Sequence, residues 1–300
     1  MLKIAHSKIY NHPLPKNHRF PMEKYDLIPK KLILENTLNN ENFFEPGSIN
    51  KEDILLTHCP DYYTKLVSQS LTKKEIRPIG FPMSELLIER EKKITQGTIE
   101  CTDFSIKNGI SMNLAGGTHH AFHDKGEGFC MLNDQAIAAN YLLSNNMVKK
   151  ILIIDLDVHQ GNGTASIFRN NKNVYTLSFH GKKNYPFKKE KSDLDVDFED
   201  ETGDAEYLLK LKNIFPNLIN TFNPDFVFYL SGVDILKTDK LGRLSISIEG
   251  CKQRDSLIIN HCKNYQIPLQ ISMGGGYSEN IEDILEAHCN TFRVAQEIYF

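Results

Sequence analysis

Two hydrophobic periods alternate through the C-terminal half of the chain. Four short runs, "KKILIIDLDV" (149–158), "VYTLSF" (174–179), "DFVFYLSG" (225–232) and "IPLQISMGG" (267–275), are nearly continuous in β-branched, aromatic or other apolar residues. Gly, Asn or Asp bounds each of them, as expected for buried strands. Between them, "DAEYLLKLKNIFPNLINTF" (204–222) and "EGCKQRDSLIINHCKNY" (249–265) show helical spacing. The N-terminal part reads as more helical, with candidates at 22–38, 84–108 and 132–144. Strands that lack polar alternation and are separated by helices predict βαβ units. The expected fold is therefore α/β, with a mostly parallel central sheet flanked by helices on both faces. No repeat, low-complexity linker or Pro/Gly/Ser-rich hinge interrupts the pattern, so one domain over 1–300 is expected.

That fold gives meaning to the text at the strand ends. In open parallel sheets the ligand sits beyond the carboxyl ends of the strands. The four runs end in "DVHQGNG", "SFHG", "SGVD" and "GGGY". These ends are predicted to converge on one crevice.

Composition narrows the candidates. A formal net charge of −3 over 300 residues supplies no global basic field for nucleic acid or an anionic membrane. The basic text "KKNYPFKKEK" (182–191) is local, is followed by the acidic "DLDVDFEDE", and reads as a solvated loop. No apolar run approaches the roughly 18 residues of a membrane span, and no signal-peptide core is seen. A cytoplasmic protein is the expectation. Six scattered cysteines without CxxC spacing read as reduced thiols.

The chemistry concentrates in "DLDVHQGNGT". Asp157 and His159 are two apart, so on a strand their side chains would share a face. Such a pair is half of a metal site or a hydrogen-bonded pair in a polar loop. Asp234, at the end of the third run, would complete a three-ligand site with an open position for water. Two carboxylates would neutralise a divalent ion, acidify its water less than three histidines would, and call for a separate base. The adjacent His119 and His120 in "NLAGGTHHAFHDKGEGFCMLND" are candidates. Tyr277, directly after three glycines, could donate to an oxyanion or be an ordinary half-buried tyrosine.

Taken together, "HH", "GEGFC", "DLDVHQGNGT", "SGVD" and "GGGY" closely resemble the histone deacetylase superfamily, zinc-dependent amidohydrolases of the arginase/deacetylase fold. "HPLPKNHRFPMEKY" (12–25) is similar to the entry segment of bacterial class IV-like members, so the resemblance spans roughly 1–290. It implies Asp157, His159 and Asp234 as ligands for zinc or ferrous iron. It implies His120 as general base and then acid, His119 as its electrostatic partner, and Tyr277 as oxyanion donor. Asp155 would stand behind His119, and Asn162 behind His120. A neutral amide raises an imidazole's pKa less than a carboxylate does, so His120 is expected neutral near pH 7. The resemblance also implies a structural potassium ion at Asp155, Asp157, His159, Ser178 and Phe179.

The substrate tunnel would involve Gly128, Phe129, Cys130, Leu241 and Gly275, with Phe187 as the second aromatic wall and Tyr185 as the next choice. Arg19 would line an internal acetate-release cavity. The implied substrate is an acylated lysine in a protein or peptide. The alternative is an acylated polyamine or other small amine, for which Glu85, Glu127 and 193–201 could form an acidic rim. A two-manganese ureohydrolase would need more carboxylates than the text after Asp234 offers. A non-catalytic acyl-lysine-binding protein would not need every catalytic position filled. No nucleic-acid or membrane partner is implied, and oligomeric state is left open.

Overall fold

A computed structural model describes all residues, Met1–Phe300. In chain order the elements are β1 (Lys3–Ala5), α1 (Lys24–Leu34), β2 (Phe43–Phe44), α2 (Lys51–Leu55), α3 (Pro60–Val67), α4 (Lys73–Ile79), α5 (Glu85–Asn108), β3 (Ile110–Asn113) and α6 (Asp134–Ser144). There follow β4 (Ile151–Asp155), α7 (Asn162–Phe168), β5 (Val174–Gly181), β6 (Leu194–Phe198), α8 (Asp204–Phe222), β7 (Phe226–Leu230), α9 (Ile248–Asn264), β8 (Leu269–Ser272) and α10 (Ile281–Tyr299). Eight strands form one sheet in the order β2-β1-β3-β8-β7-β4-β5-β6. Every pairing is parallel, so the expected "mostly parallel" sheet is wholly so.

The central strands carry apolar side chains on both faces because helices cover both. All five residues of β4 and all five of β7 are buried. Helix ends follow local chemistry. Ser84 accepts from the Leu87 N–H at the start of α5, and Asn133 from the Ala136 N–H at the start of α6. Gly109 ends α5 in the left-handed conformation and turns the chain into β3.

Register then sets the position of the site. Asp155 lies across from Leu230 on one side and Ser178 on the other, and Leu230 lies across from Ser272. The carboxyl ends of β4, β7 and β8 therefore stop in one row. The end of β5 departs from the expected convergence. Phe179 packs into the core against Phe198 and Tyr207, and His180 is buried with its ring nitrogen 2.9 Å from the Ser178 hydroxyl. The acidic stretch 193–201 contributes the edge strand β6, in which Leu194, Val196 and Phe198 alternate with aspartates.

Candidate active site

The chain leaves β4 at Asp155, so Asp157 and His159 lie in the bend beyond the strand. Their common direction comes from a local turn: Asp157 Oδ1 accepts the His159 backbone N–H at 2.9 Å. Its other oxygen accepts the Gly275 N–H at 2.9 Å. Asp234, just past β7, turns Oδ1 to the Val158 N–H at 2.9 Å. The remaining atoms converge. His159 Nδ1 lies 3.0 Å from Asp157 Oδ1 and 3.1 Å from Asp234 Oδ2, and the three ligand atoms are mutually within 4.8 Å. A side chain at Gly275 would drive into the Asp234 carboxylate, which explains a glycine there.

This donor set fits a divalent cation. All three residues are buried, and two carboxylates facing one imidazole leave a charge that only protons or a metal can balance. Burial disfavours a charged His159, yet the hydrogen bonds and charges of Asp157 and Asp234 outweigh it and hold the ring at about 10. Burial and the charge of Asp157 push Asp234 up to about 7. Two carboxylates and a histidine suit zinc or ferrous iron.

The tandem histidines sit alongside. Asp134 fixes their loop by accepting the N–H groups of Gly117 and Thr118, both at 2.9 Å. His119 Nδ1 meets Asp155 Oδ2 at 2.6 Å, and His120 Nδ1 meets Asn162 Oδ1 at 2.6 Å. The rings lie 4.1 Å apart between centroids. Burial opposes a charged His119, but Asp155 and Asp157 raise it to about 8. Burial and the charges of His119 and His159 lower His120 well below the ordinary histidine value. The two neighbours are thus poised in opposite protonation states.

Aromatic rings wall the approach. "GEGFC" forms a turn in which Gly128 and Phe129 both have positive φ, 52° and 67°. It is held to the end of α4 by Gly128 N–H to Pro78 O at 3.0 Å and Phe129 N–H to Ile79 O at 2.7 Å. A Cβ on Gly128 would come within 2.5 Å of the His120 ring. The turn thus presses Phe129 toward Tyr277, with ring centroids 6.0 Å apart. Cys130 is buried and directs its thiol to the Gly128 carbonyl at 3.3 Å. On the opposite side the wall is Tyr185, not Phe187. Tyr185 packs edge-on to His120 at 5.0 Å and donates its hydroxyl to Glu127 at 2.7 Å. Phe187 is 89% exposed at the outer lip, because the turn that packs Tyr185 inward points the residue after Pro186 away. Leu241 lines the same outer pocket.

Tyr277 closes the far side. Its ring lies 6.5 Å from that of His159, and its backbone N–H donates to Asp239 Oδ2 at 2.6 Å. Asp239 also accepts from the N–H groups of Leu241 and Gly242. It ties the Tyr277 loop to the tunnel lip, a role nothing in its sequence context signals. Arg19 is exposed at the mouth, 5.0 Å over the Phe129 ring, and not in an internal cavity. The pocket that holds His119, His120, Asp157, His159 and Tyr277 is lined on its inner side instead by Arg90 from α5, with Tyr25 and Phe20. Arg90 is 2% exposed and donates to the Tyr10 carbonyl at 2.8 Å. A second unexpected cation is Lys24. Its ammonium is fully buried, 5.9 Å from the Tyr277 ring centre, with one long contact to the Gly274 carbonyl at 3.4 Å.

Comparison with known proteins agrees with this constellation. The family model for the histone deacetylase domain matches residues 18–292. The chain belongs to the histone deacetylase superfamily. An uncharacterized protein of Picosynechococcus sp. is 38% identical over 99% of both chains. Histone deacetylase 2 of Arabidopsis thaliana is 30% identical over 89% of this chain and 71% of its own. The acetoin utilization protein AcuC of Staphylococcus aureus is 27% identical over 91% and 76%. Among solved structures, an HDAC homologue from Aquifex aeolicus superposes with a TM-score of 0.83 at 23% identity, covering 98% of this chain and 84% of that one. As a histone deacetylase domain the chain carries the hydrolase activity of a deacetylase, in a family that is generally metal-dependent, around a buried Asp-His-Asp triad.

Proposed function

We propose that the chain hydrolyses the amide of an acylated lysine side chain in a protein or peptide, through the residues around the Asp157–His159–Asp234 cluster. The carrying observation is that His120, His159 and Tyr277 all face the same pocket, entered between Phe129 and Tyr185. A zinc or ferrous ion held by Asp157, His159 and Asp234 would supply a Lewis acid that polarises the acyl carbonyl and acidifies water. His120, held neutral, takes the proton of the attacking water and returns it to the departing amine. His119, kept cationic by Asp155, offsets the negative charge that develops beside it. The Tyr277 hydroxyl donates to the oxyanion from the side opposite the histidines. Phe129 and Tyr185 exclude bulk water from the acyl chain, and Gly128 accepts the substrate N–H through its carbonyl. Arg90 is the cation placed to meet the carboxylate product. The same reading assigns a structural potassium ion to Asp155, Asp157, His159, Ser178 and Phe179, supported by the β4/β5 register that sets Asp155 across from Ser178.

Acetyl-lysine peptide hydrolysis, measured with and without chelator, tests the proposal: full activity after metal removal would sink it. Tyr277→Phe should keep metal and fold and lose on the order of 10²–10³ in kcat. Near-wild-type turnover would remove the oxyanion role.

A further inference from the structure

The tunnel mouth carries a charge opposite to that of the molecule. The chain has a formal net charge of −3. Yet the residues lining the outer pocket include Arg19, Lys183, Lys240 and Arg243 and no carboxylate. All four cations are exposed. The acidic groups close by are already engaged. Asp200 lies 3.2 Å from Arg243 and 3.5 Å from Lys183, so one carboxylate answers two cations. Glu127 accepts from the Tyr185 hydroxyl at 2.7 Å and from Lys125 at 2.5 Å. Asp239 is turned inward onto the N–H groups of Leu241, Gly242 and Tyr277. Arg19 and Lys240 face the opening without an ion pair. Glu85 and the 193–201 stretch contribute nothing to the lining, so the acidic rim that would suit a polyamine is missing.

We infer that the substrate carries negative charge next to the acylated side chain: an acyl-lysine flanked by Asp or Glu, and not a basic tail or an acetylated polyamine. This rests on the deacylase reading of the tunnel. Once the acyl chain is threaded, the flanking residues lie within reach of the lip. Carboxylates there meet unpaired cations, whereas lysines or secondary amines meet like charge. The interaction acts outside the reacting centre, so it falls on capture of the substrate, KM and kcat/KM, and leaves the chemical step alone. It is also screened, with a Debye length of about 10 Å at 0.1 M salt.

The test uses the metal-loaded full chain and four substrates: acetyl-lysine peptides of equal length with acidic, neutral or basic flanks, and N-acetylspermidine. At low salt, kcat/KM for the acidic peptide should exceed that for the basic peptide roughly tenfold, and high salt should shrink the ratio toward one. A Lys183→Glu/Lys240→Glu variant should reverse the order. Equal kcat/KM for acidic and basic flanks at low salt overturns the proposal. So does a ranking that the double variant does not move, or preferential turnover of N-acetylspermidine. Failure to hydrolyse any of the four counts against the deacylase reading alone. Fluorescence anisotropy of the same labelled peptides then reads the rim by itself, and equal affinities for acidic and basic flanks would overturn the inference.

Discussion

Asn162 governs how much negative charge reaches the candidate base. Its Oδ1 also accepts the Gly163 N–H at 3.1 Å, which fixes the amide so that His120 Nδ1 must carry the hydrogen. Nε2 is then the free base. Because burial and the positive charge of His119 hold His120 well below its usual value, the acid limb of kcat/KM should lie below pH 6.5. Asn162→Asp places a carboxylate on Nδ1, which raises the imidazole. The base is then lost at higher pH, the acid limb moves up, and activity at pH 6 falls relative to pH 8. A limb that stays in place in this variant would exclude His120 as the group that titrates. This contrast was legible in the sequence because it depends on residue identity at a matched motif position. Lys24 was not, since a lysine in the first turn of an amphipathic helix reads as solvent-facing. Burial lowers its ammonium from 10.5 to about 8, against the opposing charges of Asp234 and Asp157. Between those values the unfolded chain binds more protons than the folded one, so stability rises with pH across that window. Lys24→Met should therefore melt above wild type at pH 7, and the gap should close as pH rises from about 8 to 10.5. A gap that does not change with pH would show that Lys24 is not held in this state.

At the scale of elements, the strands that carry the chemistry were the ones the hydrophobic pattern revealed. β4, β5, β7 and β8 are long or apolar enough to stand out; α1, α5, α6 and α8 fall within the expected spans, and α9 starts one residue before its own. The strands that pattern alone does not reveal are short or charged. β1 and β2 have three and two residues, β3 has four, and β6 alternates Leu, Val and Phe with two aspartates as an edge strand does. Contacts between distant elements were equally hidden. Arg254 of α9 is fully buried and donates to the carbonyls of Leu156, Ser231 and Gly232 at 3.2, 3.3 and 2.6 Å. Asp255 beside it accepts from Arg254, the Tyr229 hydroxyl and the Thr291 hydroxyl. One guanidinium thus binds the ends of β4 and β7 where the ligand-bearing bends begin. Arg254→Met removes it, orphans three carbonyls and leaves a buried carboxylate without its cation. The expected loss is about 3–5 kcal/mol in urea unfolding. A loss under about 1 kcal/mol would mean that the pair is replaceable by packing alone.

For the whole molecule, parallelism is what concentrates function. Eight strands run the same way, so every loop that follows a strand opens on one side, and β4, β7 and β8 end in a single row. The three ligand residues and the Gly275 N–H come from three separate segments of the chain, the ones that follow β4, β7 and β8. An ion bound there would tie those segments together and should stabilise the folded chain as a unit. At one hundred times its dissociation constant, a ligand that binds only the native state adds about 2.7 kcal/mol. For a chain of this length that corresponds to roughly 5 °C in Tm. Chelator-treated protein should regain that shift on addition of zinc or ferrous iron. Asp157→Ala should melt at one temperature with or without the ion, and a full shift in that variant would remove Asp157 from the ligand set. The proton balance gives a further check on the same titration. In the metal-free site the carboxylates keep His159 protonated up to about pH 10, and Asp234 holds a proton up to about 7. Both must be given up to ligate, so binding should release protons, and affinity should rise with pH between about 6 and 10. A Tm shift that does not grow over that range would mean the ion does not take the place of these protons, and hence does not sit between Asp157, His159 and Asp234.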